Sequence, residues 1–377
     1  MTRRGTGLAP NQGVPITATN QGQRQLPDAV AAGFSLEGAS RARVAVLLNA
    51  NAKSVNAQVR RALSLVVPEE HLYLSRTDED ACAIAEDVVS RRYATVFTGG
   101  GDGTFVGWVN RILESAKRRG TRAPRFGVLA LGTGNAVAEM VGAEPRRHVQ
   151  DLARYVRGEV DRVRRLDLLT CEGRRTPFAG VGIDAALLND YNWIRARLEE
   201  TPLRRLGEGV PGYFLAVALR SVPRFLSKGR ATYCEVTNTG GPAWRLDPDG
   251  SRLGRPIGPG ELLYAGPCML AAASTVPYYG LGLKVFPFAE RAPGMMQVRI
   301  ATSIHLHTLL FNVGSIWSGS FAHPGLFDFH ADRVALRFER PMPLQIGGDA
   351  EGWRAEVSFG MAPHSVEIVD FSARVAA

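Results

Sequence analysis

The sequence Thr98-Gly-Gly-Gly-Asp-Gly-Thr104 has the residue types of a phosphate-binding loop. It follows a short apolar run and precedes a segment whose apolar residues have helical spacing. Successive glycines let the backbone approach an anion closely, and the N-terminus of the next helix offers unpaired N–H groups. Phosphates would repel Asp102 unless a divalent cation lies between them or the carboxylate handles a proton. The loop therefore favours phosphoryl transfer over simple anion binding, with a tight turn and an N-capping Asp as the alternative.

Alternating strands and helices position this loop in the first half of the chain. Such alternation predicts a parallel sheet covered by helices, with ligands at the carboxyl ends of the strands. We predict strands at 43–49, 71–75, 94–98 and 126–130, and helices at 55–66, 80–91, 103–119 and 135–141.

The second half of the chain is rich in β-like segments separated by Gly/Pro turns. We therefore expect a flexible N-terminal tail over 1–40, a nucleotide-binding α/β domain over 41–160 and a β-rich domain over 161–377. Strands are predicted at 164–171, 230–236, 297–301, 333–338 and 356–359, with helical stretches at 185–198 and 212–220.

The composition limits the kinds of molecule that the protein is expected to bind. The 377 residues carry 45 basic and 36 acidic side chains, a net charge of +9, which favours phosphates, acidic lipid headgroups or nucleic acid. Four widely spaced cysteines predict neither a disulfide framework nor a zinc site. No apolar signal segment follows Met1, and prolines and glycines interrupt the apolar stretch 262–289. We expect a cytoplasmic protein that associates peripherally with membranes.

Six short motifs follow one another along the chain, and the first two are GGDGT at 100–104 and LGTGN at 131–135. In their order and spacing they resemble the diacylglycerol kinase catalytic-domain family, which includes sphingosine and ceramide kinases and bacterial lipid kinases. The resemblance implies an α/β domain like that of NAD and diacylglycerol kinases, followed by a β-sandwich-like domain. The other motifs are FAGVGIDA at 178–185, RRLGE at 204–208 with Tyr213, YYGLGLKVFP at 278–287 and DAE at 349–351.

The resemblance also implies that ATP lies between the two domains, with Mg²⁺ on its phosphates. Ser75 is preferred to Thr77 because relatives tend to place a Thr six residues before a helix Ala, here Ala81. The implied ATP-binding residues are Asn49, Ser75, Gly100, Gly101, Asp102, Gly103, Thr104, Thr133, Gly134, Asn135 and Arg204.

Two carboxylates are the implied catalytic groups. One of Asp102 and Glu351 would act as general base on the acceptor hydroxyl, and the other would organise the metal or the nucleotide. The resemblance favours Asp102 as the base. Asp102 or Asp349 would supply a protein ligand to Mg²⁺. Arg204 would steady the transferred phosphate with its planar fork of donors. Asp184, in an apolar run where an unpaired carboxylate is costly, is the predicted substrate-binding residue.

The leading interpretation is a lipid kinase with ATP, a lipid acceptor and an anionic membrane surface as partners, and with a homodimer left open. An NAD kinase shares GGDGT, but its next strand normally leads into N-x-G-x-L-G-F and not into LGTGN. A catalytically inactive homologue is the third interpretation, because Gly107 and Pro293 replace family carboxylates; the retained Asp102 and Glu351 argue against it. Nucleic-acid binding has only net charge in its favour, since no basic stripe is interleaved with aromatics.

Overall fold

The computed structural model describes residues 43–52, 54–132, 134–198, 231–279, 282–302, 304 and 306–372. Thr133 and Arg204, both predicted to bind ATP, lie outside the described residues. The same holds for the predicted tail at 1–40, the helical stretch at 212–220 and the motif at 204–208.

Six strands form the first sheet, which is parallel apart from one edge strand. Their order across the sheet is β2-β1-β3-β4-β18-β5, and only β5 is antiparallel to its neighbour. The strands are β1 (Val44–Asn49), β2 (Leu72–Ser75), β3 (Thr95–Gly100), β4 (Arg125–Ala130), β5 (Val163–Leu166) and β18 (Val366–Val369). The accompanying helices are α1 (Ala57–Ser64), α2 (Asp78–Ser90), α3 (Asp102–Arg118), α4 (Ala136–Met140) and α5 (His148–Val156).

Burial on both faces explains the apolar runs of this sheet. All six residues of β3 are buried, and four of the six residues of β1 are buried, as expected for parallel strands covered by helices. Helix α2 begins at a capping box, in which Thr77 accepts the N–H of Asp80 at 3.1 Å and Asp80 accepts the N–H of Thr77 at 3.2 Å. The four predicted strand–helix units are confirmed, with each end within two residues of the prediction.

Antiparallel strands form the second sheet. Its path runs β11-β10-β15-β14-β13-β8-β16-β17-β6-β7, and β9 joins β16 and β12. The strands are β6 (Leu169–Cys171), β7 (Arg174–Thr176), β8 (Phe178–Gly182), β9 (Thr232–Asn238), β10 (Ala243–Leu246), β11 (Arg252–Ile257), β12 (Leu262–Cys268), β13 (Leu270–Ser274), β14 (Met296–Ala301), β15 (Leu326–Ala331), β16 (Arg333–Ile346) and β17 (Asp349–Met361). In the described part of the chain, three helices accompany this sheet: α6 (Ile183–Leu198), α7 (Leu306–Phe311) and α8 (Val313–Ser318).

The predicted fold class, an α/β part followed by a β-rich part, is confirmed. The domain boundaries at residues 40 and 160 stay predictions. Strands β5 and β18 both follow residue 160 and lie in the first sheet, where Ile368 pairs with Phe126 of β4. The last strand of the fold thus returns to the sheet that carries the glycine-rich loop. Within the described residues, no helix has both the length and the apolar character needed to cross a bilayer.

Candidate active site

Two glycine-rich loops pack against each other at the carboxyl ends of β3 and β4. The backbone N–H of Asp102 donates to the carbonyl of Gly134 at 3.1 Å. A Cβ atom on Gly101 would lie 2.8 Å from that same carbonyl oxygen, and a Cβ on Gly132 would overlap the backbone of Gly101. Glycine is therefore required at these positions because the two backbones touch.

Asp102 holds the two loops together with its side chain. Its Oδ2 accepts the N–H of Ala136 at 2.9 Å, and its Oδ1 accepts the N–H of Val137 at 3.1 Å. These are the first two residues of α4, so the carboxylate caps that helix, whereas α3 has Gly101 as its N-cap residue and no side-chain cap. Burial raises the pKa of Asp102 to about 6, against the opposing effect of the two hydrogen bonds. An Asp in this loop was expected to cap the helix that follows it, α3. Asp102 instead caps α4, which follows the second loop.

A polar cavity of about 290 Å³ lies beside the N-terminus of α3. Within it, Asn49 donates from Nδ2 to Oγ1 of Thr104 at 3.2 Å, which ties the end of β1 to the glycine-rich loop. The hydroxyl of Ser75 donates to the carbonyl of Leu48 at 3.4 Å. The cavity is lined by Asn49, Asn51, Ser75, Arg76, Thr77, Asp78, Ala81, Gly103, Thr104, Gly107, Trp108, Arg111 and Asp349.

Four of the predicted ATP-binding residues, Asn49, Ser75, Gly103 and Thr104, therefore line one cavity. The other described ones belong to the two packed loops at its edge: Gly100, Gly101, Asp102, Gly134 and Asn135. Asn135 donates from Nδ2 to the carbonyl of Gly132 at 2.9 Å, but its buried Oδ1 has no hydrogen-bond partner among the described residues. A buried amide oxygen without a partner is costly, which favours a polar ligand at this position.

Asp349 enters the cavity from the second sheet. It follows the two-residue turn Gly347–Gly348, where both φ values are positive (60° and 90°), and pairs with Ile346 across the β16–β17 hairpin. A Cβ on Gly103 would lie 2.8 Å from Oδ1 of Asp349. The glycine-rich loop and the hairpin tip thus meet at this glycine, and partial desolvation there raises the pKa of Asp349.

Arg174 connects the two carboxylates of the hairpin. Its Nη2 lies 3.6 Å from Oδ2 of Asp349, and its Nη1 forms an ion pair with Oε1 of Glu351. Attraction by Arg174 lowers the pKa of Asp349, although desolvation outweighs it. Glu351 is therefore held next to the cavity through Arg174 and is not among the residues that line it.

Asp184 lies in a separate, partly buried cluster with Tyr279 and Gln345. The Tyr279 hydroxyl and Nε2 of Gln345 both donate to Oδ2 of Asp184, the latter at 3.3 Å. Oδ1 of Asp184 has no hydrogen-bond partner in the described part of the chain, and burial raises the pKa of this carboxyl. Oε1 of Gln345 accepts the N–H of Gly348 at 2.8 Å. The predicted substrate-binding residue is thus two hydrogen bonds from the turn that carries Asp349.

Both parts of the fold match family models. Residues 43–168 match the diacylglycerol kinase catalytic domain, and residues 244–370 match the YegS C-terminal NAD kinase beta sandwich-like domain. The chain belongs to the diacylglycerol kinase catalytic-domain family. Both glycine-rich loops lie in the first matched range, and Asp349 and Glu351 lie in the second. Membership places the chain among diacylglycerol kinase-like kinases, which are nucleotide-binding transferases.

Solved structures agree with this fold. The chain is similar to a diacylglycerol kinase from Bacillus anthracis str. Sterne, with 12% identity, a TM-score of 0.58 and coverage of 90% of this chain and 100% of that chain. It is also similar to another protein of that organism assigned as a diacylglycerol kinase, with 14% identity, a TM-score of 0.62 and coverage of 91% of this chain and 100% of that chain. At these identities the likeness concerns the fold. A comparison with curated proteins found no match.

Two residues next to the candidate site, Arg174 and Glu139, could not be identified from the sequence motifs. Arg174 reaches Asp349 and Glu351 because β7 follows β6, which pairs with β17, and such register leaves no local signal. Glu139 lies on α4, one helical turn after Asn135. That spacing from the LGTGN motif is the signal that could have pointed to it. Its carboxyl is half-buried, and burial together with the charge of Asp102 raises its pKa.

Departures from the family motifs have local explanations. Gly107 stands where relatives have a carboxylate, and here its carbonyl accepts Nη1 of Arg111 at 3.0 Å. Arg111 in turn forms an ion pair with Asp78 at the same cavity. Ala350 replaces the glycine of D-G-E without strain, because the positive φ values lie at Gly347, Gly348 and Gly352.

Proposed function

We propose that this protein is an ATP-dependent lipid kinase, which transfers the γ-phosphoryl group of ATP to a hydroxyl of diacylglycerol, a sphingoid base or a similar lipid. One observation carries the proposal: Asp349 of the second sheet faces Gly103 at the N-terminus of α3, inside the polar cavity. A phosphate site and an acidic side chain therefore share one cavity. Phosphoryl transfer to a hydroxyl requires these two groups close together.

The chemistry of the cavity supports ATP as its ligand. The first residues of α3, including Gly103 and Thr104, direct backbone N–H groups outward at a helix N-terminus, where phosphate oxygens bind favourably. Asn49 and Ser75 add amide and hydroxyl groups at the ends of β1 and β2 for the ribose or the phosphates.

Magnesium would accompany the nucleotide. Among the described residues, no group of three or more His, Cys, Asp and Glu could hold a metal ion unaided. Mg²⁺ is commonly bound by one or two carboxylates together with phosphates and water. Two carboxylates line the cavity, Asp78, which is paired with Arg111, and Asp349. Mg²⁺ bound in this way would neutralise charge on the β- and γ-phosphates.

The carboxylates of Asp102, Glu351 and Asp349 differ in whether their oxygens are free to accept a proton from the acceptor hydroxyl. Both oxygens of Asp102 accept backbone N–H groups, so we assign Asp102 to positioning the two loops and to the charge of the site. Glu351 is engaged by Arg174. Asp349 has a side chain with more than half of its surface exposed and a raised pKa, and we assign it to accept the proton of the lipid hydroxyl. This assignment moves the base from Asp102, the sequence-based choice, to the hairpin tip.

The acceptor headgroup would bind at Asp184. Its unpartnered Oδ1 would accept a hydrogen bond from a hydroxyl or ammonium group, which a glycerol or a sphingoid headgroup supplies. The hydrogen bonds through Gln345 to Gly348 keep this acceptor site next to the turn that positions Asp349.

Transfer of label from γ-labelled ATP to lipids in mixed micelles tests the proposal. The acceptor panel contains diacylglycerol, sphingosine, ceramide and NAD, and we expect label on a lipid and none on NAD. Asp349→Asn should lower the rate of transfer by about 10²–10⁴-fold. Glu356→Gln, which removes a carboxylate of the same strand in an exposed ion pair with Arg337, should not affect it. Labelling of NAD alone would contradict the lipid-kinase proposal.

A further inference from the structure

A stretch of the second half of the chain carries no formal charge. Residues 300–327 contain no Asp, Glu, Lys or Arg, although 21% of the chain consists of these residues. Helices α7 and α8 both lie in this stretch, one directly after the other, with Asn312 between them. The Asn312 side chain donates to the carbonyl of Thr308 at 2.8 Å, which closes the end of α7.

Large apolar side chains project from these two helices into solvent. Phe311 is 87% exposed, Trp317 is 53% exposed and Val313 is 42% exposed. Isolated exposed apolar residues are common on protein surfaces, but three within seven residues of an uncharged stretch form a patch. We call these three side chains the apolar surface.

The apolar surface borders the active site. A Cβ on Gly282, whose φ is +76°, would lie 3.3 Å from the Trp317 ring and 3.0 Å from Oε2 of Glu139. Glu139 lies on α4, the helix whose first two N–H groups donate to the carboxylate of Asp102. At the end of α8, a Cβ on Gly319 would lie 3.1 Å from Cβ of Lys284, so a cation flanks the same surface.

We propose that the apolar surface inserts into the interfacial layer of an anionic phospholipid bilayer. Phe and Trp side chains favour this layer, and an uncharged segment enters it without desolvating ions. The net charge of +9 attracts the protein to such a surface, with Lys284 beside the point of contact. Insertion would bring the region around Gly282 and Glu139 to the lipid headgroups; that consequence, though not the insertion itself, rests on the proposed function.

A second copy of the chain fits this surface less well. Association of two copies would bring together two molecules of the same positive net charge, which repel each other. Three side chains also form a much smaller area than stable dimers bury. A bilayer is therefore the partner that suits both the positive net charge of the protein and the small area of the apolar surface.

Vesicle flotation of the full chain, without ATP or acceptor lipid, tests the inference. We expect the protein to float with phosphatidylcholine vesicles that contain phosphatidylglycerol. The double variant Phe311→Ser/Trp317→Ser, and Phe311→Ser alone to a smaller degree, should lose binding, by roughly tenfold or more for the pair. Trp353→Ser is the matched control, because Trp353 is 60% exposed but lies outside the uncharged stretch, and it should float as the native chain does. Circular dichroism checks that each variant is folded.

Three results would overturn the inference. One is failure of the native chain to float, and another is unchanged flotation of the double variant. The third is a native dimer, by light scattering, that the double variant converts to a monomer while neither protein floats, since the apolar surface would then be a contact between copies. Flotation that depends on Phe311 and Trp317, combined with no labelled lipid in the kinase assay, would overturn the proposed function and leave this inference intact.

Discussion

The carboxylate of Asp102 accepts the backbone N–H of Ala136 at 2.9 Å and thereby joins the GGDGT loop to the start of α4. A second hydrogen bond, from Val137 at 3.1 Å, uses the other carboxylate oxygen. The two glycine-rich loops therefore behave as one unit whose geometry depends on a buried charge. We therefore expect substitution of this residue to affect the shape of the candidate site as well as its charge.

We predict that Asp102→Asn destabilises the protein and weakens ATP binding together. An amide has one acceptor oxygen, so one of the two buried N–H groups loses its partner, at a cost of about 1–3 kcal/mol. Chemical denaturation and ATP titration of the same samples measure both effects. Asp349→Asn is the control, since Asp349 is much more exposed, and it should lower turnover with little change in the free energy of unfolding. A fully stable Asp102→Asn protein with normal ATP affinity would contradict the positioning role.

The pKa of Asp102 also predicts a pH dependence of stability. Because burial raises the pKa from 3.8 to about 6 in the folded state, the folded protein binds more protons than the unfolded chain between these values. The contribution of this group is fully present below about pH 4 and is lost as pH rises through about 6, by on the order of 3 kcal/mol. The free energy of unfolding of the native chain, minus that of Asp102→Asn, should fall over this range. A difference that is flat or rises would be inconsistent with a raised pKa.

Gly103→Ala should reduce turnover far more than stability. The new Cβ would lie 2.8 Å from Oδ1 and 3.0 Å from Oδ2 of Asp349, so the carboxylate must move out of position. Gly107→Ala in the same helix is the matched control, because there a Cβ meets only the flexible end of Arg111 at 3.0 Å. We expect kcat to fall by roughly a hundredfold in the first variant and to stay within about threefold in the second. Equal rates for the two variants would show that the position of Asp349 is unimportant.

Removal of Arg174 should shift the pH–rate profile. Arg174 lowers the pKa of Asp349, so Arg174→Ala allows that pKa to rise. A base must be ionised to accept a proton, and the acidic limb of kcat/KM should therefore move to higher pH. Arg337→Ala, which breaks an exposed ion pair with Glu356 in the same sheet, should leave the limb in place. A profile that is unmoved in Arg174→Ala would separate Asp349 from the proton transfer.

Asp184→Asn should raise KM for the lipid and leave KM for ATP unchanged. The unpartnered Oδ1 is the atom assigned to the headgroup, and loss of its charge weakens that hydrogen bond, by roughly tenfold in affinity. Initial rates with each substrate varied in turn measure the two constants. A parallel rise in both constants would indicate a general disturbance of the fold in place of a headgroup contact.

The glycine-rich loop between β3 and α3 could be predicted from sequence because its determinants are local. Gly101, Gly103 and Thr104 follow one apolar strand and begin one helix, so the loop, its strand and its helix are adjacent in the chain. Ser75 likewise ends a predicted strand and lines the cavity. The target of the Asp102 carboxylate could not be predicted, since its partners lie 34 and 35 residues away on another loop.

Several strands of the second sheet could not be predicted from the sequence. Strand β12 contains Gly266 and Pro267, which are turn signals, and β13 is Leu-Ala-Ala-Ala-Ser, which lacks both alternation and β-branched residues. Their positions depend on pairing with distant strands. The contacts of Arg174 and Gln345 depend on the same antiparallel register, so these residues appear as parts of the site only in the folded chain.

The most direct test of the central claim is the rate at which label passes from γ-labelled ATP to the best lipid acceptor in mixed micelles, measured for the native chain, Asp349→Asn and Glu356→Gln. Loss of a general base typically costs about 10²–10⁴-fold in rate. We predict a loss of this size for Asp349→Asn and a native rate for Glu356→Gln. Labelled lipid formed at the native rate by Asp349→Asn, or no labelled lipid from the native chain, would contradict the account.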